Sequence, residues 1–395
     1  MVRCNQIVEW LVDGARSASD TSEVVSELCD GLVGCGIPVS RFRLYVFALH
    51  PQIMGHAFRW SCGTAVEMIS APFETLETDE FRQSPIRHVI DTRTPLRCRL
   101  GQADCPMEFA VTRDLSEEGV TDYLAVPLFF AGGAVHGATF ATEHPNGFTD
   151  EQIAAIESVV APLARVAENR LLERTASILL DTYVGNNAGS RILAGQIRRG
   201  DTTAIHAAIW LSDMRGFTRL ADRLPPQILV DMLNRYFDCQ VPAIVKHGGE
   251  VLKFIGDGLL AIFPIIGDEN ARQVCDNALA AAHEARAAIA SSDSVEGDVR
   301  FGLALHVGEV LYGNIGSGNR LDFTCIGPAV NLAARIEKLT GELNRTILAS
   351  EEFERHCSSR FASVGEFELR GFELARTVFG LADEANLAEH NGVHP

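Results

Sequence analysis

The sequence predicts an α+β protein, in which an N-terminal α/β domain is joined by a helical linker to a mostly antiparallel α+β domain. Two hairpin patterns support the β part, because apolar runs flank Gly132-Gly133 and again flank Gly256-Asp257-Gly258, and glycine supplies the positive φ of tight turns. Apolar residues at helical spacing, before and between these hairpins, support the α part. The expected boundaries are 1–165 for the first domain, 166–203 for the linker, 204–385 for the second domain and 386–395 for a tail.

Length, composition and charge limit the class of protein. The 395 residues suffice for two or three domains, and the apolar content of 47% is ordinary for a globular protein. No uncharged apolar run of about 18 residues occurs, so no membrane span is expected. A net charge of −18 argues against a nucleic-acid-binding surface, and it requires local cations or metal ions at any site for an anionic substrate. Without a signal-peptide core or Cys-x-x-Cys spacing, a cytoplasmic protein with reduced thiols is expected.

The first domain is predicted from helical and strand patterns in turn. Apolar residues at helical spacing cover most of 1–37, and 41–50 has the aromatic and apolar content of a strand. Helical patterns follow near 84–90 and 106–115, and the first hairpin covers 123–142. A long helix starts near Asp150.

This order of elements resembles a GAF domain over roughly 1–165. The best local match is Leu-Ala-Val-Pro-Leu from Leu124, followed by Gly-Ala-Thr-Phe-Ala from Gly137 and Phe-Thr-Asp-Glu-Gln from Phe148. The resemblance implies a sensory or dimerising module that often holds a small molecule over its sheet. We therefore expect a small-molecule or protein signal at this domain, and a ligand-free dimerisation module is the alternative.

The linker is predicted as one long helix over 151–186. Its apolar residues are spaced by three, four and three, as in a coiled-coil seam. These residues are Ile156, Val159, Leu163 and Val166. A contact between two copies of the chain would bury that stripe, and Pro162 is expected to kink the helix. A loop at Gly185–Ser190 and a short helix at Arg191–Arg199 are predicted to follow.

The second domain is predicted to alternate strands and helices. The expected strands lie at 204–212, 250–263 (as a hairpin), 299–308, 322–326, 360–369 and 375–381, and the expected helices at 226–247, 268–291 and 329–339.

Four sequence blocks occur in order within this domain. They are Trp210-Leu-Ser-Asp-Met-Arg-Gly-Phe-Thr218, Lys253-Phe-Ile-Gly-Asp-Gly258, Arg300-Phe-Gly-Leu-Ala-Leu-His-Val-Gly308 and Thr324-Cys-Ile-Gly-Pro-Ala-Val-Asn-Leu-Ala-Ala-Arg335. Together they resemble the catalytic domain of class III nucleotidyl cyclases, and the stretch 183–200 resembles the entry segment of bacterial adenylate cyclases. The resemblance implies a ferredoxin-like βαββαβ core. It also implies a reaction in which the 3′-oxygen of a nucleoside triphosphate attacks its α-phosphorus and pyrophosphate leaves.

Asp213 and Asp257 are candidate metal ligands. Each ends or caps a strand of the same predicted sheet, so adjacent strands would bring the carboxylates together. Mg²⁺ prefers oxygen ligands and bridges phosphates. The resemblance implies that both carboxylates, with the carbonyl of Met214, hold two Mg²⁺ or Mn²⁺ ions per site. One ion would acidify the 3′-hydroxyl, and the other would bind the outgoing phosphates.

Recognition of the base is assigned by the resemblance to Lys253 and Thr324. An ammonium can donate to adenine N1, and a hydroxyl can accept from the 6-amino group. Guanine has the opposite pattern of hydrogen-bond donor and acceptor at these positions, and it favours an acidic partner. Guanylate cyclases use Cys near this position, so Cys325 keeps GTP open as the substrate, whereas Lys253 favours ATP.

Asn331 and Arg335 are four residues apart and share one face of a predicted helix. The resemblance implies that Asn331 orients the ribose and that Arg335 stabilises the α-phosphate in the transition state. Arg370 occupies the place of a phosphate-binding lysine, and Arg300 is a further phosphate candidate. For both residues, the alternative to phosphate binding is that the arginine is only a solvated surface residue.

The resemblance also implies a homodimer with shared sites. One protomer would supply the metal aspartates and the other the base, ribose and phosphate residues. The predicted function is an adenylate cyclase that makes 3′,5′-cyclic AMP from ATP and that the first domain regulates through the linker. The alternatives are a guanylate cyclase and a degenerate, nucleotide-sensing module.

Overall fold

The computed structural model describes residues 2–102, 109–267, 270–291, 299–382 and 384, without the side chains of 2–4 and 101. The chain divides into two compact units, Met1–Leu179 and Leu180–Pro395. Within the described ranges, no helix combines the length and apolar character needed to cross a membrane. The predicted tail at 386–395 lies outside the described residues, as does the start of the helix predicted at 106–115.

The first unit contains a six-stranded antiparallel sheet with the order β3-β2-β1-β6-β5-β4. Its strands are β1 (Arg41–Phe47), β2 (Ile53–Ser61), β3 (Glu67–Pro72), β4 (Leu96–Cys98), β5 (Asp122–Phe129) and β6 (Val135–Thr142). Its helices are α1 (Val2–Val12), α2 (Thr21–Gly34), α3 (Asp79–Arg82), α4 (Pro85–Thr92), α5 (Ala110–Glu117) and α6 (Asp150–Val184), which extends past Leu179. The predicted hairpin and the strand near 41–50 are confirmed, whereas β2 and β3 escaped prediction.

One face of this sheet packs against α1, α2 and α6, and the opposite face packs against α4 and α5. The four residues predicted to form a seam between two chains lie in the first of these cores. Ile156, Val159 and Leu163 are fully buried there, and Val166 is 4% exposed. The prediction of a seam between two chains is therefore wrong at these positions, because the sheet of the same unit already covers these apolar side chains. The helix runs unbroken through Pro162.

The thiols also depart from expectation at one position. Seven of the described cysteines form no disulfide, but Cys98 is disulfide-bonded.

The second unit contains an eight-stranded sheet. Its strands are β7 (Thr202–Met214), β8 (Glu250–Ile255), β9 (Gly258–Ile265), β10 (Phe301–Ser317), β11 (Arg320–Ile326), β12 (Ile347–Ser350), β13 (Phe361–Phe367) and β14 (Arg376–Leu381). Its helices are α7 (Asn186–Leu193), α8 (Phe217–Ala221), α9 (Pro226–Asp238), α10 (Val241–Lys246), α11 (Ala271–Ser291), α12 (Pro328–Glu342) and α13 (Glu351–His356).

The centre of this sheet has the predicted ferredoxin-like arrangement. The strand order β10-β7-β9-β8 is antiparallel throughout. Each helical crossover, β7 to β8 and β9 to β10, therefore skips one strand, which defines the split βαβ unit. Residues of α10 and α11 cover one face of the sheet, and residues of α7 and α12 cover the other.

Two helix predictions need correction. The predicted loop at Gly185–Ser190 is the start of α7, and the predicted helix at Arg191–Arg199 is largely irregular. Gly189 serves packing here, since a Cβ would lie 2.7 Å from Asp181 Oδ1. The single helix predicted at 226–247 is divided into α9 and α10, because Pro242 is tolerated only in a first helical turn.

Candidate active site

The predicted metal aspartates meet where β7 ends beside the β8–β9 turn. Asp213 is the second-last residue of β7, and Asp257 lies in the turn, near enough for its charge to act on the Asp213 carboxyl group. Gly258 makes this approach possible. A Cβ there would lie 3.0 Å from the carbonyl oxygen of Ser212 and 3.1 Å from Asp213 Oδ1. The pair of carboxylates is therefore built by the register of the central strands.

The electrostatics of this pair suit a cation. Burial, followed by the charge of Asp257, raises the pKa of Asp213 to about 6. Two neighbouring carboxylates disfavour simultaneous ionisation, and a divalent ion with oxygen ligands would relieve that repulsion. Within the described ranges, no group of three or more His, Cys, Asp or Glu side chains could hold a metal. Further donors would thus come from backbone, such as the Met214 carbonyl, from water or from substrate phosphates.

A buried network beneath this pair escaped prediction. The guanidinium of Arg215 donates to the hydroxyl of Thr340 on α12. Glu337 on the same helix is 9% exposed, and burial, then the charge of Asp213, raises its pKa to about 7, against the opposing effect of Arg215. Gly302 leaves space for these groups, since a Cβ there would lie 2.6 Å from Arg215 Nη2 and 2.8 Å from Glu337 Oε1. Arg215 lies in the first sequence block, but nothing in the sequence indicated its partners.

Lys253 is held by a residue that escaped prediction. Its Nζ donates to Asp322 Oδ2 at 2.9 Å, and this ion pair joins β8 to β11. A β-bulge precedes Lys253, because Val251 and Lys253 pair with consecutive residues of β9. Bulges commonly re-aim a side chain beside a functional site.

Thr324 presents a hydroxyl that lacks a partner. The residue is 3% exposed, and its Oγ1 is buried without a hydrogen bond. Asp322 is two residues away on β11 and so shares its face of the strand, whereas Cys325 points to the other face and packs in the core. Burial raises the pKa of the Cys325 thiol to about 11. A buried hydroxyl without a partner costs about 1–3 kcal/mol, which a hydrogen-bonding ligand would recover.

The structure keeps Asn331 and Arg335 apart from the pair Asp213 and Asp257. Asn331 is exposed and Arg335 half-buried on α12. Glu337 follows Arg335 by two residues, which places it roughly 200° around the helix axis, on the side that faces the sheet. Among the residues that the structure describes, no hydrogen bond or ion pair joins Asn331 or Arg335 to either aspartate.

The two other phosphate candidates are exposed arginines. Arg370 lies in the turn between β13 and β14, immediately before Gly371. Arg300 directly precedes β10, and its carbonyl accepts a hydrogen bond of 2.8 Å from the Arg215 amide. In the described part of the chain, neither guanidinium forms an ion pair.

Comparison with known proteins identifies a similar domain. Residues 202–382 match the family described as the adenylate and guanylate cyclase catalytic domain. The chain is similar to a terminal-differentiation-specific adenylate cyclase of Dictyostelium discoideum, with 31% identity over 199 residues, or 48% of this chain and 9% of the relative. It is also similar to adenylate cyclase 1 of Rhizobium meliloti, with 29% identity over 175 residues, or 42% of this chain and 26% of the relative. The matches thus span well under two thirds of these relatives.

Among solved structures, the chain is similar to the adenylyl cyclase CyaB of P. aeruginosa. The TM-score is 0.42 and the identity 24%, with 46% of this chain and 96% of that chain covered.

Proposed function

We propose that this chain converts ATP to 3′,5′-cyclic AMP and pyrophosphate, since residues 202–382 match the adenylate and guanylate cyclase catalytic-domain family. The observation that carries this choice of substrate is the unpartnered, buried hydroxyl of Thr324. It offers an acceptor for the 6-amino group of adenine, and Lys253, oriented by Asp322, offers a donor for N1. A guanine would present a hydrogen-bond donor to the lysine and leave this arrangement unsatisfied.

A substitution at Thr324 tests the assignment. Thr324→Val removes the hydroxyl, and Thr324→Ser keeps it. Because the valine variant loses one hydrogen bond to ATP, we expect its kcat/KM for ATP to fall about three- to tenfold. Because valine also removes a buried hydroxyl without a partner, we expect the free energy of unfolding of that variant to rise by about 1 kcal/mol. The serine variant should keep most of the activity. Equal loss of activity in both variants would contradict a role for the hydroxyl.

A guanylate cyclase remains the second candidate because Cys325 adjoins Thr324. In that case Cys325→Ser should change the rate with GTP specifically. The core position of this thiol favours a structural role instead, so we expect the substitution to affect stability and to leave the ratio of ATP to GTP activity unchanged.

The metal-binding residues are proposed to be Asp213 and Asp257, with the Met214 carbonyl. Two Mg²⁺ or Mn²⁺ ions bound there would neutralise phosphate charge and acidify the 3′-hydroxyl. The strands contribute preorganisation, because Gly258 lets the turn that carries Asp257 approach Asp213 closely. As the new bond from the 3′-oxygen to the α-phosphorus forms, the bond from that phosphorus to the pyrophosphate oxygen breaks.

The remaining residues are proposed to act on ribose and phosphates. The amide of Asn331 would orient the ribose, and the guanidinium of Arg335 would hold the α-phosphate through charge-assisted hydrogen bonds. Arg370 and Arg300 would hold the outgoing phosphates, for which a planar guanidinium is well suited. The exposure of Arg370 and Arg300, and the lack of ion pairs at both in the described chain, support this proposal.

A homodimer with shared sites is supported by the distribution of these residues. Within one chain the aspartates do not contact Asn331 or Arg335, so a second copy would be required to complete each site. Apolar side chains surround the base-recognition residues: Phe254 is 52%, Ile255 51% and Ile326 45% exposed. Exposed apolar side chains clustered in this way are typical of an interaction surface.

Mixing two inactive variants tests this dimer. Asp257→Asn removes a metal ligand, and Arg335→Ala removes the phosphate-binding group. If each site uses Asp257 from one copy and Arg335 from the other, one of the two sites in every mixed dimer is intact. Random association of equal amounts then restores about a quarter of the wild-type activity. No recovery, with mixed dimers shown to form, would contradict the shared site.

Regulation by a GAF-like first domain at 1–165 is also proposed, with the signal passing along 166–203. Deletion of residues 1–150 should change the basal rate or its response to ligands. Unchanged kinetics in a variant that still dimerises would contradict this regulation.

A degenerate cyclase module is the non-enzymatic alternative, and it predicts nucleotide binding without any cyclic product.

A further inference from the structure

A cavity of about 330 Å³ lies in the first unit, between one face of the sheet and the segment that includes α3 and α4. Its floor is formed by β1, β2 and β6, and small residues keep it open. Ala57 on β2 pairs with Tyr45 on β1, so the tyrosine side chain faces a small residue on the neighbouring strand. Gly55, the partner of Phe47, instead permits a close backbone approach, since a Cβ there would lie 2.8 Å from the Phe47 Cα. Cavities of this size are typical of small-molecule sites.

One end of the cavity carries positive charge. Arg43 on β1 and Arg59 on β2 are direct cross-strand partners, and both line the cavity. Like charges directly opposite each other in a sheet are destabilising. In the described chain, neither guanidinium forms an ion pair. The hydrogen bond and charge of Arg41, and to a smaller extent the charge of Arg43, lower the pKa of the nearby Glu118. Arg41, on the same face, is by contrast paired with carboxylates.

Two further carboxylates lie near the cavity, and in the described chain neither forms an ion pair with Arg43 or Arg59. Glu67 lies opposite Arg59 in the β2–β3 register but forms no ion pair with it. Glu80 lines the cavity from α3. The protein thus retains two adjacent guanidinium groups, one half-buried and one exposed, in a chain of net charge −18.

The opposite end of the cavity is aromatic. Phe47 on β1 and Phe81 on α3 contact each other edge-to-face, with their ring centroids 6.3 Å apart. Tyr45 lies between Phe47 and Arg43 on the same face of β1. Phe47 follows Arg43 by four positions along the strand, which corresponds to about 13 Å. The cavity is therefore amphipathic along its length, with cations at one end and aromatic rings at the other.

We propose that this cavity binds a small aromatic anion. Its carboxylate or phosphate would accept bidentate hydrogen bonds from Arg43 and Arg59, and its ring would lie against Tyr45 and Phe47. Carboxylate and phosphate share the chemistry that the arginine pair recognises. Binding does not depend on the proposed cyclase activity, so the two can fail separately.

Titration of the full-length chain with three matched probes tests the proposal. The probes are 2-naphthoate, 2-naphthyl phosphate and the neutral 2-naphthamide, followed by isothermal titration calorimetry. At least one anion should bind about tenfold or more tightly than the amide, because charge-assisted hydrogen bonds are stronger than neutral ones. The tighter anion identifies the preferred head group.

Variants locate the binding. Arg43→Gln should weaken the binding of the anion about tenfold, and the Kd of the neutral amide should stay within about twofold of the wild-type value. Arg87→Gln removes an equal charge from the same unit at an exposed ion pair with Asp91, and should have no effect. Ala57→Leu fills the floor and should abolish binding of every probe.

Three results would overturn the proposal. They are equal affinities for anion and amide, unaltered binding in Ala57→Leu, and no binding of either anion at millimolar concentration. Should Arg43→Gln fail to fold, the probe comparison on the wild type and on the exposed Arg59→Gln still decides the matter.

Discussion

Asp322→Asn should lower the preference for ATP without unfolding the protein. Asp322 touches Lys253 through a single ion pair of 2.9 Å, and the two side chains are 59% and 33% exposed. An ion pair at such a surface contributes only about 0.2–1 kcal/mol to stability. The melting temperature should therefore change by a few degrees at most.

The kinetic effect should be larger, because Asp322 holds Lys253, the side chain proposed to read the base. A lysine loses up to about 1.5–2 kcal/mol of rotamer entropy when it is fixed. Without Asp322 that cost is met when substrate binds, so kcat/KM for ATP should fall about ten- to thirtyfold. GTP does not use the same contact at N1, so its kcat/KM should change less.

The assay is kcat/KM for both nucleotides at saturating Mn²⁺, with cyclic products separated by chromatography. Glu351→Gln, which removes a carboxylate from an exposed ion pair with Arg355, is the matched control. An equal fall for ATP and GTP would refute the reasoning, since a merely structural role would not alter their ratio.

Three further outcomes follow from the structure. Asp257→Asn should weaken Mn²⁺ binding in calorimetry and lower cyclic AMP formation by about two orders of magnitude or more. Gly302→Ala should cost about 1–3 kcal/mol in chemical denaturation, because its Cβ meets Arg215 Nη2, whereas Gly318→Ala, with nothing within 4 Å, should be near neutral. Burial lowers the pKa of His136 from near 6.5 to about 4, so the unfolded chain binds more protons between these values. Stability should then fall by about 3 kcal/mol as pH drops from 6.5 to 4, and less in His136→Asn, which keeps an acceptor for the Phe47 amide.

Local signals predicted the parts of the site that lie close in sequence. The turn at Gly256–Gly258 and the helix that carries Asn331 and Arg335 appear where turn glycines and helical spacing placed them. The approach of Asp213 to Asp257 was also predicted, because both were assigned to ends of neighbouring strands.

Long-range partners could not be predicted in the same way. The pairing of Lys253 with Asp322 depends on the position of the β10–β11 hairpin beside β8. That hairpin was missed because the strand was expected to end at Gly308, whereas β10 continues to Ser317. Gly308 and Gly313 mark close approaches, since a Cβ at Gly308 would lie 2.7 Å from that of Ala329, and one at Gly313 would meet the Asp201 backbone. Glycine needed for packing is indistinguishable from turn glycine in a single sequence.

The most direct measurement is the product that the purified full-length chain forms from equal concentrations of ATP and GTP, with Mg²⁺ and separately with Mn²⁺. We expect cyclic AMP and pyrophosphate in equal amounts, formed faster than cyclic GMP. Predominant cyclic GMP would contradict the assignment of Lys253 and Thr324. Absence of any cyclic product with either metal, from protein that still binds ATP, would contradict the proposed catalysis itself.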